Sequence, residues 1–126
     1  MTTLAASGVC VLLGALAVFQ AFLALGAPLG RFAWGGQHVV LPTRLRVGSA
    51  LSIAVYALLA ATVLACAGVL PTDVPDGVLR AAAWVVASYF FLGIGMNLAS
   101  RSKPERAVMT PVVALLCGLC VVVAAS

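Results

Sequence analysis

The chain reads as an all-α membrane protein, an antiparallel bundle of four transmembrane helices. Residues 4–26, 47–69, 81–99 and 107–125 form uncharged stretches of about 19 to 24 residues. A helix needs ~20 apolar residues to cross a bilayer core about 30 Å thick. The seven Lys and Arg and the three Asp and Glu all fall in the gaps between these stretches. Hydrophobic residues make up 64% of the chain and charged residues 8%, against about 25% charged in a soluble domain. A soluble bundle would need polar stripes at helical period, and none of the four stretches carries one. Residues 1–126 are therefore expected to form a single four-helix transmembrane domain.

The first stretch has no Lys or Arg before Arg31, and Gln20 interrupts its second half. A cleaved signal peptide has a basic n-region and a short apolar core, so this stretch is expected to remain as a span. Gly26 and Pro28 end it. The gap at 27–46 holds Arg31, Arg44 and Arg46 but is too apolar for a plain solvated linker. Gly35-Gly36, between Arg31–Trp34 and Gln37–Leu41, predicts a small hairpin lying on the membrane interface. The second span gives way to Leu70-Pro71-Thr72-Asp73-Val74-Pro75-Asp76-Gly77, a turn within the loop 70–80. The third span carries Gly93 and Gly95 just before Asn97, and the gap 100–106 follows. Pro111 is expected in the first turn of the fourth helix, where its missing N–H matters little. Trp34 and Trp84 lie near opposite interfaces, as aromatic belts do. The short second and third loops force neighbouring helices to run antiparallel.

Six of the seven basic residues lie on one side of this topology: Arg31, Arg44, Arg46, Arg101, Lys103 and Arg106. Only Arg80 lies on the other, with Asp73 and Asp76. Short Lys- and Arg-rich loops stay in the cytoplasm, so both termini are expected outside. The loops 27–46 and 100–106 would then form a basic cytoplasmic cap. Anionic lipid attracts each such charge by about 1 kcal/mol. Arg31, Trp34, His38, Arg44, Arg46, Arg101, Lys103 and Arg106 are the expected lipid or partner contacts.

Within the spans, Gln20, Ser49, Ser52, Tyr56 and Asn97 map to the cytoplasmic half. Ser49, Ser52 and Tyr56 follow i, i+3, i+7 spacing and share one face. Such groups turn inward, as helix–helix glue or as the lining of a small pocket. Gln20, Ser52, Tyr56 and Asn97 are the pocket candidates. No predicted span contains Asp, Glu, Lys, Arg or His, which argues against an ion-coupled pump.

Of the four cysteines, Cys117 and Cys120 form a C-x-x-C on one helix face, and with Cys10 and Cys66 they fall in the outer half of the membrane. A thiol redox role is the enzymatic alternative. Reactive pairs of this kind have a helix N-terminus or a cation nearby, and neither is present here. Small apolar packing is the more economical reading of the thiols. No metal cluster, nucleotide-binding motif, catalytic triad or nucleic-acid signature appears, and no cofactor is expected.

Two groups of residues carry a resemblance. One is Ala24-Leu25-Gly26-Ala27-Pro28-Leu29-Gly30 with Trp34-Gly35-Gly36 and Leu41-Pro42-Thr43-Arg44-Leu45-Arg46. The other is Gly95-Met96-Asn97 with Ser100, Glu105-Arg106 and Pro111. Together they resemble a family of small four-span bacterial membrane proteins known only as hypothetical proteins. The resemblance implies the architecture and a bacterial inner membrane, and carries over no functional residue. The expected protein is thus a non-enzymatic lipid- or partner-interacting module, with the thiol redox protein and a small oligomeric carrier or channel as alternatives. Lipid, a second copy or another membrane protein are the expected partners.

Overall fold

A computed structural model describes all 126 residues. Four helices make up the regular structure: α1 (Thr2–Ala24), α2 (Thr43–Cys66), α3 (Asp76–Leu98) and α4 (Lys103–Ala125). All four are long and apolar enough to cross a membrane, and the chain is a multi-pass membrane protein. The connection from α1 to α2 adds two single 3-10 turns, Gly30–Phe32 and Trp34–Gly36.

Every helix begins before the apolar stretch that announces it, and three of the four starts are marked by a Pro or Ser at the N-cap. Pro42 and Pro75 stand at the N-caps of α2 and α3, both outside the helical conformation. Ser102 caps α4, its hydroxyl accepting from the Glu105 N–H at 3.4 Å, with Pro104 in the first turn. This Ser102-Lys103-Pro104-Glu105 run has the spacing of a capping box. The carboxy-terminal ends are equally explicit. Gly26 (φ 94°) and Gly68 (φ 79°) take the left-handed conformation just past α1 and α2. Ala27 N–H then reaches the Phe22 carbonyl and Val69 N–H the Leu64 carbonyl, the Schellman pattern that satisfies otherwise orphaned carbonyls.

Two sequence expectations change. Pro111 lies inside α4 and not in its first turn, because the cap moves the helix start back to Lys103. Its missing N–H leaves the Ala107 carbonyl without a helical donor. The hairpin expected around Gly35-Gly36 does not form. The connection does reverse there, and Gly30 N–H meets the Val39 carbonyl at 2.8 Å. No strand pairing follows, because Trp34, Gly35 and Gly36 are all left-handed and turn the Trp34 ring toward α2.

The helices run up and down, so both chain termini and the α2–α3 turn share one end. Arg80, in the first turns of α3, donates to the Ser126 carbonyl there at 2.7 Å. The opposite end, hereafter the loop end, carries the long first connection and the α3–α4 turn. Packing is extensive between α1 and α2 and between α3 and α4, and α1 also lies against α4. The α2–α3 seam is thinner. Since lipid is as apolar as the side chains, close fit rather than hydrophobic burial must hold such helices together. Gly8 lets Leu119 approach, and Gly93 lets Val113 approach; an added Cβ at either would stand 3.1 Å away. The main core includes Val9, Leu13, Val63, Phe90, Leu116 and Cys120. A second small cluster, Leu23, Ala33, Leu41 and Leu45, pins the first connection over the loop end.

Gly30 is the tightest point of that connection, since a Cβ there would lie 2.0 Å from the His38 carbonyl oxygen. Gly30→Ala should destabilise the protein by about 1–3 kcal/mol, as overpacking does. Gly14 has nothing within 4 Å of its added Cβ, so Gly14→Ala should be neutral or stabilising by up to about 1 kcal/mol. Thermal unfolding of both variants in detergent checks the pair.

Candidate functional site

One face of α3 turns toward α2 at the loop end. Tyr89, Gly93, Asn97 and Ser100 recur at helical spacing along it, with Leu92 and Met96 beside them. Because the α2–α3 seam is thin, this face is not filled from α2. Leu16 of α1 and Val113 of α4 close the floor, Tyr56 of α2 stands opposite, and Trp34 and Gly35 close the loop end. The result is a groove of about 620 Å³, inside the range of about 300–1,000 Å³ typical of small-molecule sites. Leu92 and Met96 at its rim are 67% and 76% exposed, so it opens sideways onto the surface that lipid covers. Next to it, sharing Tyr56, Asn97 and Glu105, lies a smaller chamber of about 160 Å³ lined also by Gln20, Phe19 and Phe32.

Polar groups gather at the loop end of this space. Gln20 Nε2 donates to the Tyr56 hydroxyl at 3.3 Å, joining α1 to α2. The Gln20 Oε1 atom is buried with no hydrogen-bond partner. Asn97 donates from Nδ2 to the Gly93 carbonyl of its own helix at 2.9 Å and lines both chambers. The Ser100 hydroxyl donates to Glu105 Oε2 at 2.8 Å and accepts from Ser102 N–H at 3.1 Å. Glu105 is 9% exposed and sits in the first turn of α4, where the helix dipole favours a carboxylate. Its hydrogen-bond donor is a hydroxyl, not a cation.

Trp34 closes the loop end of the groove. Its indole N–H donates to the buried Ser49 hydroxyl at 3.1 Å. Its ring lies over Gly48, where an added Cβ would come within 2.9 Å. The left-handed backbone of Trp34 (φ 54°) is uncommon for a bulky residue, and the docked ring accounts for its retention.

The structure thus brings Gln20, Tyr56 and Asn97 together around one cavity. Ser52 lines neither chamber; its hydroxyl donates back to the Gly48 carbonyl at 3.0 Å. The basic set divides. Arg46 Nε donates to the Ala24 carbonyl at 2.8 Å and Arg106 Nη1 to the Ser100 carbonyl at 2.8 Å, so both cap helix ends. Arg31, Arg44, Arg101 and Lys103 remain exposed, with Arg31 5.2 Å from the Phe32 ring centroid. His38 lines neither chamber, and its Nδ1 is buried without a partner. Cys120 is fully buried in the core and Cys117 Sγ donates to the Ala87 carbonyl at 3.5 Å, toward the end of the bundle away from the cavity. All four cysteines are free thiols.

Glu105, Ser100 and Trp34 are the cavity residues that sequence reasoning missed or placed elsewhere. Glu105 reads as a loop charge until Ser102-Lys103-Pro104-Glu105 is recognised as a cap, which puts it in the first turn of α4.

What fold and site define is a class: a four-helix membrane protein with a laterally open, polar-tipped groove. No family model matches the chain, and no curated protein or solved structure matches it.

The Gln20–Tyr56 bond joins two helices inside the bundle, where such bonds average about 0.6 kcal/mol. A double-mutant cycle of Gln20→Leu and Tyr56→Phe, read by denaturant unfolding, should give a coupling of that size. A coupling of zero would mean that the two side chains do not meet.

Proposed function

We propose that this protein is a non-enzymatic, lipid-interacting module of a bacterial inner membrane, holding a single-chain amphiphile in the groove between α2 and α3. The observation that carries the reading is the shape of that space: apolar and open to the bilayer along α3, polar at its loop end. A chain entering sideways would lie against Leu16, Phe90, Leu92 and Val113. Its head group would meet Tyr56, Asn97 and Glu105, and Gln20 Oε1 would gain the donor it lacks. In this reading the loop end faces the cytoplasm, on the basic-residue asymmetry. Arg31, Arg44, Arg101 and Lys103 would hold it against anionic head groups, at about 1 kcal/mol each.

Two measurements test the proposal. Leu92 and Met96 are exposed, so the double variant Leu92→Trp/Met96→Trp should fold normally and obstruct the groove mouth. Purified wild-type protein in an uncharged maltoside detergent should bind dodecanol saturably, and the double variant should bind it at least tenfold more weakly. Equal binding by both proteins, or none by the wild type, contradicts the groove. Alkaline phosphatase fused after Ser126 should be active outside the cytoplasm; inactivity there, with a fluorescent fusion bright instead, would reverse the orientation.

A further inference from the structure

The two chambers hold a chemical asymmetry beyond their shape. Six of the nine aromatic side chains in the sequence line them: Phe19, Phe32, Trp34, Tyr56, Tyr89 and Phe90. Both tyrosines are in that set. Glu105 lines both chambers, and no Lys, Arg or His lines either. The adjacent Arg106 turns its Nη1 to the Ser100 carbonyl. A carboxylate buried without a counter-ion is an unfavourable arrangement that a cation relieves. Aromatic faces attract the same cation, most strongly once it is desolvated.

We infer that the head group this groove selects is a cation, so that its ligand is an amphipathic organic ammonium with its charge against Glu105 and its chain along α3. The inference rests on the groove reading above and adds its charge. The exposed Arg and Lys residues of the loop end do not stand in the way of such a ligand, because the groove opens sideways toward lipid and away from that basic rim. Trp34 has a second role in this arrangement: it supplies an aromatic side chain at the loop end, fixed there by Ser49 and Gly48. A primary or secondary ammonium, unlike a quaternary one, would also bring an N–H donor for Gln20 Oε1.

The test compares dodecyltrimethylammonium with dodecanol, a charged and an uncharged head on the same chain. Trp34 emission reports binding in a Trp84→Phe background, in the uncharged maltoside detergent. The ammonium should bind at least tenfold more tightly than the alcohol. Glu105→Gln keeps an acceptor for the Ser100 hydroxyl, and should bring the ratio of affinities near one. If Glu105→Gln does not fold, Asn97→Lys places a cation in the same cavity and should lower the ratio at least tenfold. A ratio near one in the wild type overturns the charge selection and leaves the groove reading standing. Binding of neither probe overturns both. A ratio that survives Glu105→Gln, or Asn97→Lys where that variant is read instead, places the ammonium elsewhere and overturns the inference.

Discussion

Inside a bilayer, each backbone N–H and C=O must find its partner within the protein, since an unsatisfied group there costs several kcal/mol. Helix interiors meet this demand on their own. Helix ends do not, and the loop end of this bundle is organised around meeting it. The Ala24 carbonyl at the end of α1 takes Arg46, and the Ser100 carbonyl just past α3 takes Arg106. Ser102 caps α4 and donates to the Arg31 carbonyl at 2.5 Å, tying the first connection to that cap. Two arginines that look like surface charge therefore hold backbone ends, and the connection between α1 and α2 becomes part of the bundle rather than a tether.

That closure positions the site. With the first connection pinned by Leu23, Ala33, Leu41 and Leu45, Trp34 is held against Gly48 and Ser49 and cannot fill the space beside α3. The same capping network buries Glu105 beside Ser100, where it lines both chambers. The groove is thus a consequence of how the helix ends are satisfied, together with a thin α2–α3 seam. Its polar tip and its apolar length come from different sources: caps supply the first, and the unfilled face of α3 supplies the second.

The four helices and their antiparallel order were legible because apolar run length and charge exclusion are strong signals in a bilayer. Helix starts were less so: hydropathy ignores Pro42, Pro75 and Ser102, which mark three of them. Gln20, Tyr56 and Asn97 were legible as inward-facing because an amide or phenol facing lipid lacks partners. Ser52 is less legible, since a serine can bond to its own helix four residues back, as it does to the Gly48 carbonyl. Trp34 looked like an interfacial anchor, and only the left-handed turn at 34–36 shows its ring folded onto α2. Glu105 shows the same limit from the other side. A charge beside an apolar run reads as loop until its cap is seen.

The central claim, that the α2–α3 groove is where an amphiphile sits, is most directly tested by photo-crosslinking. A dodecyl chain bearing a terminal diazirine is irradiated with the purified protein and the adducts are mapped by mass spectrometry. Adducts should concentrate on Leu16, Tyr89, Leu92 and Met96. Adducts spread evenly over the remaining exposed apolar residues, such as Leu4, Val11, Leu58 and Phe91, would show a chain that only coats the bundle and would contradict it.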